Sequence, residues 1–455
     1  MNILKQINQE NQLPEELKET FIELKVLKHL RQSGIKRNLG FACSYLFQIV
    51  FCLLFQHRNW FRMQESERKN VNYPSKDAVY RFLNCPNFAW QRFLSSFSSY
   101  AIGKVLQLKT KKSTSVLIID DSAYERNRSK KVELLARCRD HNSNGYYKGF
   151  RMLTLGWSDG HTFIPTDFAM LSSRTACLNG INEDIDKRSH GYKRRLEALK
   201  KAPDVIPTMI DRALQNGVNA SYILMDTWFT HAPLIRAVRE RGLDVIGMVK
   251  NNNQRYLVNG HFLSLKELYK TAIVKNFKRT GILRSITTAL SGDIPVKIVF
   301  VRHRTNKREW LALLSTDVTL EEEEIIRLYG IRWDIETFFK CTKSLLQLGK
   351  EFQGRSFDML ISHTTIVFAR YIMLSWQHRQ QGDDRTLGGL FLAMCDELAE
   401  LDWVVALTQL FEILNDVAEK ANKRLAKFIK CQLSQWMAAL PNYIKVYLPI
   451  SICES

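Results

Sequence analysis

The sequence is short of acid: 46 aspartates and glutamates face 66 lysines and arginines, leaving a formal net charge of +20 and a pI near 9.5. A surplus of that size points to a polyanionic partner, with DNA, RNA, ribosome and anionic membrane all left open by charge alone. There is no C-x-x-C pair. Nine irregularly spaced cysteines support neither a zinc ribbon nor a disulfide framework, and read as buried thiols in a reducing compartment. Internal repeats and low-complexity tracts are also missing. The opening MNILKQINQENQLPEELKE carries acids where a signal peptide would be apolar, so the expected location is cytoplasmic and nucleoid-associated. Long uncharged runs are scarce. Leu39 to Phe55 is seventeen residues without a charge, near the lower limit for crossing a bilayer. Gly40, Ser44 and Gln48 within it favour a buried helix over a span, no membrane is expected, and no other stretch is expected to resemble a span.

What remains is ordinary globular composition: 455 residues, 45% hydrophobic and 25% charged, enough for two or three cored domains. Residues 1–112 read as a helical N-terminal DNA-binding domain. Within it, two amphipathic helices follow Ser75, placed as an N-cap, and flank the turn Asn84-Cys85-Pro86-Asn87. They are either a helix-turn-helix reader or two packed helices. Residues 113–250 alternate strand and helix, which predicts the first part of an α/β mixed-sheet core. Its strands are Val116–Ile119, Phe150–Trp157, His161–Met170 across an Asp159-Gly160 turn, Tyr222–Met225 and Val245–Val249. Residues 251–315 read as a β-rich insertion, and 316–380 as the second part of the core, with one long helix from Leu320 to Leu348. Residues 381–455 are helical again and are the candidate dimerisation region.

The long helix carries the sharpest signal. Tyr329, Arg332, Glu336, Lys340 and Lys343 fall within an arc of roughly 80° on an unbroken helix. A lone carboxylate among a phenol and three cations suits phosphoryl transfer, the acid holding a divalent metal and the cations gripping a polyanion. The alternative is an i, i+4 ion-pair ladder such as Glu336 with Lys340. Two apolar strands also run into acids, at Asp120-Asp121 and at Asp226, and such acids converge on one crevice. Three carboxylates can hold two Mg²⁺ ions about 4 Å apart, with Mn²⁺ able to substitute.

These residues resemble the DDE insertion-sequence transposases with an RNase H-like core, in the Y-x2-R-x3-E-x6-K (YREK) subgroup, the insertion sequence four family. Tyr329, Arg332, Glu336 and Lys343 fit that spacing at every position, over a resemblance spanning roughly 113–370. Leu117-Ile-Ile-Asp-Asp-Ser and Leu224-Met-Asp-Thr-Trp-Phe are similar to the family's two aspartate strands. The resemblance implies an α/β fold with an RNase H-like mixed sheet, a β-rich insertion and flanking helical domains. It implies catalytic, metal-holding roles for Asp121, Asp226 and Glu336. Asp121 is preferred over Asp120 because the family places Ser or Thr directly after the acid; Asp120 then caps the strand or supports the site, and Asp167 is an outside candidate. It further implies phosphate contacts by Arg332 and Lys343, backbone positioning by Tyr329, and a base-stacking or simply packed Trp310. Trp228 and Phe229 either stack or pack, Lys250 either reaches DNA or is solvated, and Lys340 joins the DNA-binding set. The basic stretches 126–139 and 187–201 read as phosphate tracks.

The expected function is metal-dependent cleavage at insertion-sequence ends, followed by attack of the freed 3′-OH on the opposite strand or on target DNA. The partners are double-stranded terminal inverted repeats and target DNA, with a homodimer in the synaptic complex. Alternatives are an RNase H-like structure-specific endonuclease or resolvase, and a domesticated non-catalytic DNA-binding protein.

Overall fold

Apolar residues spaced three and four apart fold the described residues of the N-terminal region into six helices: α1 (Glu15–Glu23), α2 (Val26–Gln32), α3 (Cys43–Leu53), α4 (Trp60–Glu65), α5 (Lys76–Leu83) and α6 (Trp90–Gln107). The computed structural model describes residues 15–56, 60–65, 74–108, 114–140, 145–277, 281–291, 293–303, 306, 309–380, 385–396 and 423–439, with four single positions between 410 and 420. The uncharged run around α3 yields a helix of only 11 residues, and its aromatic rings pack inward, Phe51 on Phe21 and Phe47 on Phe93. Ser75 stands at the N-cap of α5 but its hydroxyl makes no capping bond. The second helix of the expected pair is an 18-residue helix that buries Trp90, Phe93, Leu94 and Phe97. It packs against strand Phe163–Leu171 and the long helix Phe357–Gln380, so the two helices are packed into the core along that side.

The remaining elements, in order, are β1 (Val116–Glu125), β2 (Ala136–Arg139), β3 (Tyr146–Ser158), β4 (Phe163–Leu171), α7 (His190–Ala198), α8 (Ala202–Gln215), β5 (Tyr222–Met225), α9 (Ala232–Arg239), β6 (Asp244–Val249), β7 (Tyr256–Val258), β8 (His261–Leu263), α10 (Leu265–Thr271), β9 (Ile273–Phe277), β10 (Ile282–Leu290), β11 (Ile294–Arg302), β12 (Trp310–Ser315), α11 (Glu322–Gly330), α12 (Trp333–Ser344), α13 (Phe357–Gln380), α14 (Leu387–Asp396) and α15 (Lys423–Ala439). The strands form a 12-stranded mixed sheet in the order β2-β3-β1-β5-β6-β12-β11-β10-β7-β8, with β4 on β3 and β9 on β10. β1, β5 and β6 are parallel, and β3 is antiparallel to β1. The β4-β3-β1-β5-β6 portion therefore has the RNase H-like order. The β-rich insertion is not a separate sheet: β12 pairs antiparallel with β6 and carries the sheet onward.

Three sequence expectations change. β1 does not stop at its aspartates; it runs on to Glu125, paired with β3 throughout, so Asp120 and Asp121 sit within a strand and point to opposite faces. The long helix is broken at Ile331–Arg332, after Gly330, a weak helix former. There the bonds tighten to i−3, from Ile331 N–H to Leu328 and from Arg332 N–H to Tyr329. Finally, α13 is long and apolar enough, by length and composition, to cross a membrane, where no stretch besides Leu39 to Phe55 was expected to resemble a span. Its apolar window is buried inside the protein, where it packs on α6, β4, α3 and α5.

Part of the basic surplus is structural. α7 is capped by Ser189, whose hydroxyl accepts from Tyr192 N–H, and Arg194 and Arg195 lie on its buried face. Arg194 pairs with Asp358 at 2.7 Å; Arg195 pairs with Glu133 at 2.6 Å and with Asp358 at 2.8 Å. Those two arginines are lost to the 187–201 phosphate track, while Lys187, Arg188, Lys193, Lys200 and Lys201 stay exposed.

Candidate active site

The site lies where β1 and β5 meet under α12. Strand alternation turns Asp120 and Ser122 toward α12 and Asp121 away from it. Met225, the last residue of β5, pairs in parallel with Ile119, so Asp226 stands next to Asp120. Asp226 is fixed by a tight turn. Its Oδ1 accepts from the N–H groups of Trp228 (2.9 Å) and Phe229 (3.2 Å), and Thr230 Oγ1 donates to its carbonyl at 2.6 Å. Thr230 nests against Gly247 of β6, where a Cβ would come within 2.3 Å of Thr230 Oγ1.

The third acid arrives on α12. Phe338 anchors that helix among Phe163, Phe368 and Tyr371, with ring centroids 4.7 to 5.1 Å apart, and the helix lies across β1. Arg332 joins the two elements: its Nη1 donates to Asp120 Oδ2 at 3.1 Å and its Nη2 pairs with Glu336. The same guanidinium lies 5.8 Å from the Tyr329 ring. Lys343 Nζ donates to Ser122 Oγ at 2.6 Å. Tyr329, Arg332, Glu336 and Lys343 thus gather about Asp120 and Ser122 despite the helix break, whereas Lys340, on the same helix, is exposed.

Of the two adjacent aspartates it is Asp120, and not the expected Asp121, that shares a face with Asp226 and Glu336. Asp121 pairs instead with Arg151 of β3. The period-two pleat within a strand that continues past both acids sets this facing, although Ser122 follows Asp121. Asp167 is buried and committed to Arg212 at 2.6 Å, which removes it as a candidate. Trp310 stacks on Tyr269, 4.9 Å away with the rings 8° apart, and meets Phe300 edge-on, so one of its faces is covered. Lys250 is exposed directly after β6, Phe229 is buried, and Trp228 is 52% exposed.

The electrostatics mark the acids. Burial, then the charge of Asp226, pushes Asp120 up to about 7 against the pull of Arg332. Burial also raises Asp226, with the Phe229 and Trp228 N–H groups working against it and Asp121 adding to it. Burial pushes the Tyr329 phenol up to about 12. Adjacent desolvated carboxylates with this shortfall of positive charge are hard oxygen donors that fit a dication such as Mg²⁺. Among the described residues, no three His, Cys, Asp or Glu side chains already stand close enough together to hold an ion, and Glu336 is paired with Arg332.

Two family models match the chain: DDE superfamily endonuclease over residues 53–264, and transposase DDE domain over residues 196–373. The first match contains Asp120 and Asp226, the second Asp226 and Glu336. The chain is also similar to a cryo-EM structure of the piggyBac transposase synaptic complex with hairpin DNA, at 13% identity and a TM-score of 0.45, over 98% of this chain and 84% of that one. No curated protein matches it.

Proposed function

We propose that the protein is a DDE-type DNA transposase that cuts at the ends of its own insertion sequence and joins them to target DNA. The observation that carries this reading is the pairing of Asp120 and Asp226 on neighbouring parallel strands beneath the helix that bears Glu336, within segments matching DDE family models. Asp120, Asp226 and Glu336 would hold the divalent ions, Mg²⁺ or Mn²⁺. When bound, such ions activate an attacking oxygen and stabilise the leaving one.

The chain's own groups supply the rest. Arg332 leaves its carboxylates to grip a phosphate beside the scissile bond, and Lys343, Lys340 and Lys250 extend that grip along the backbone. Tyr329, held neutral, positions the strand through its hydroxyl. Trp310 offers its uncovered face to a base. The exposed lysines and arginines of 126–139 and 187–201 add affinity without sequence information. A dimer pairing two DNA ends completes the reading.

The test is cleavage of duplexes carrying the inverted repeats that flank the gene, in Mg²⁺, by the wild-type protein and by Asp226→Asn. Nicking at the repeat ends by the first alone is expected; equal cleavage by both would refute the assignment.

A further inference from the structure

Asp121 is left without a role once Asp120 takes the metal-holding face, yet it is not idle. Its carboxylate pairs with Arg151, which stands on the same sheet face because Ala123, two residues beyond Asp121, is the residue opposite Arg151 in β3. From β3 the Arg151 side chain reaches across β1, and its guanidinium carbon lies 5.6 Å from the Trp228 ring centroid. Trp228 follows β5, on the far side of β1, and its N–H is one of the two that hold Asp226 Oδ1. Trp228 is half open to solvent, so core packing alone does not fix it. A cation over an indole is attracted to the ring face and so favours the rotamer that keeps them together.

We infer that Asp121, Arg151 and Trp228 form a strap across the end of β1 that positions Asp226 from the sheet face opposite α12. Asp121 orients Arg151, Arg151 pins Trp228, and the pinned Trp228 backbone fixes the turn that aims the Asp226 carboxylate. All three are positioning residues, and the inference rests on the reading of Asp226 as a metal-holding acid. It also explains why two adjacent aspartates are needed: one holds the ion and its neighbour steadies the other ligand.

The experiment compares Asp120→Asn, Asp121→Asn, Arg151→Met, Arg151→Lys, the Asp121→Asn/Arg151→Met double variant and Trp228→Phe in the full chain. Mn²⁺ binding is followed by electron paramagnetic resonance, cleavage by kinetics, and Trp228 by the acrylamide quenching that Trp228→Phe removes. Asp120→Asn should abolish Mn²⁺ binding. Asp121→Asn and Arg151→Met should each keep it with a midpoint weakened about 10- to 100-fold, the range for groups that orient ligands. KM for DNA should be unchanged, the double variant should be no worse than either single one, and Arg151→Lys should recover much of the loss. Both single variants should make Trp228 more quenchable. If Asp121→Asn abolishes Mn²⁺ binding as completely as Asp120→Asn, Asp121 is itself a ligand and the strap is overturned. Additive losses, or Trp228 quenching that does not change, overturn it too. Retained Mn²⁺ binding and cleavage in Asp120→Asn would instead sink the reading of the metal site, while the quenching still reports whether the strap exists.

Discussion

Among the described residues, two groups of buried charge are built on opposite terms. Where α7 meets α13, each acid has its cation: Asp358 takes Arg194 and Arg195, and Glu133 takes Arg195 together with the N–H groups of Asn182 and Phe357. Burial pushes the Glu133 carboxyl up, but the Arg195 hydrogen bonds and charge together with the N–H groups of Asn182 and Phe357 hold it below its usual value. Glu351 is likewise lowered against burial by Arg370 and His363. Under α12 the balance is reversed. Asp120 and Asp226 are both raised, and one arginine, Arg332, serves Asp120 and Glu336 together. A fold able to satisfy Glu133 and Glu351 fully could have done the same for Asp120 and Asp226. Acids left short of positive charge fit a site that receives it from outside.

The sharpest way to break that contrast is to neutralise one acid from each group. Glu336→Gln is expected to lower cleavage of end-bearing DNA by on the order of 10³-fold or more, while folding is retained. Asp358→Ala should cost about 3–5 kcal/mol in a urea titration, because Arg194 and Arg195 stay buried with less to pair with. Asp226→Asn should show no such loss and a gain of up to about 1 kcal/mol, since it removes an under-compensated charge. If both aspartate variants fell equally, the distinction between the two groups would collapse.

The acid limb sharpens the comparison. Glu133 has a folded value below the ordinary 4.5, so its contribution is fully present above that pH and is lost as the pH falls through it toward the folded value. The urea midpoint should therefore drop below about pH 4.5, less steeply in Glu133→Gln. The smallest effect is expected at exposed Lys340: Lys340→Ala should shift stability by no more than about 0.5 kcal/mol, yet reduce the salt slope of DNA binding by about one.

Much of the fold was legible because the core strands are apolar runs with period-two neighbours and the turn at Asp159-Gly160 is explicit in the sequence. Asp159 Oδ1 caps that turn through Thr162 N–H at 2.9 Å, and Gly160 takes φ +85°. The helical run around Glu336 was legible from spacing, but its break at Ile331–Arg332 was not. What stayed hidden was decided by tertiary pairing. Nothing in Ile-Asp-Asp-Ser says that β1 continues past its acids, because β3 supplies those hydrogen bonds from thirty residues away. Nor does spacing distinguish Arg194 and Arg195 from their exposed neighbours; the partners that turn them inward, Glu133 and Asp358, come from distant parts of the chain. α13 does not read as a span because Asp358, His363 and Arg370 interrupt its apolar sequence, although all three are buried and bonded.

The central claim is that Asp120 and Asp226 await a cation, and direct titration of Mn²⁺ into the DNA-free protein tests it. Saturable binding in the wild-type protein that disappears in Asp226→Asn is the predicted result. Binding of equal strength in Asp226→Asn would place the ion elsewhere and contradict the account.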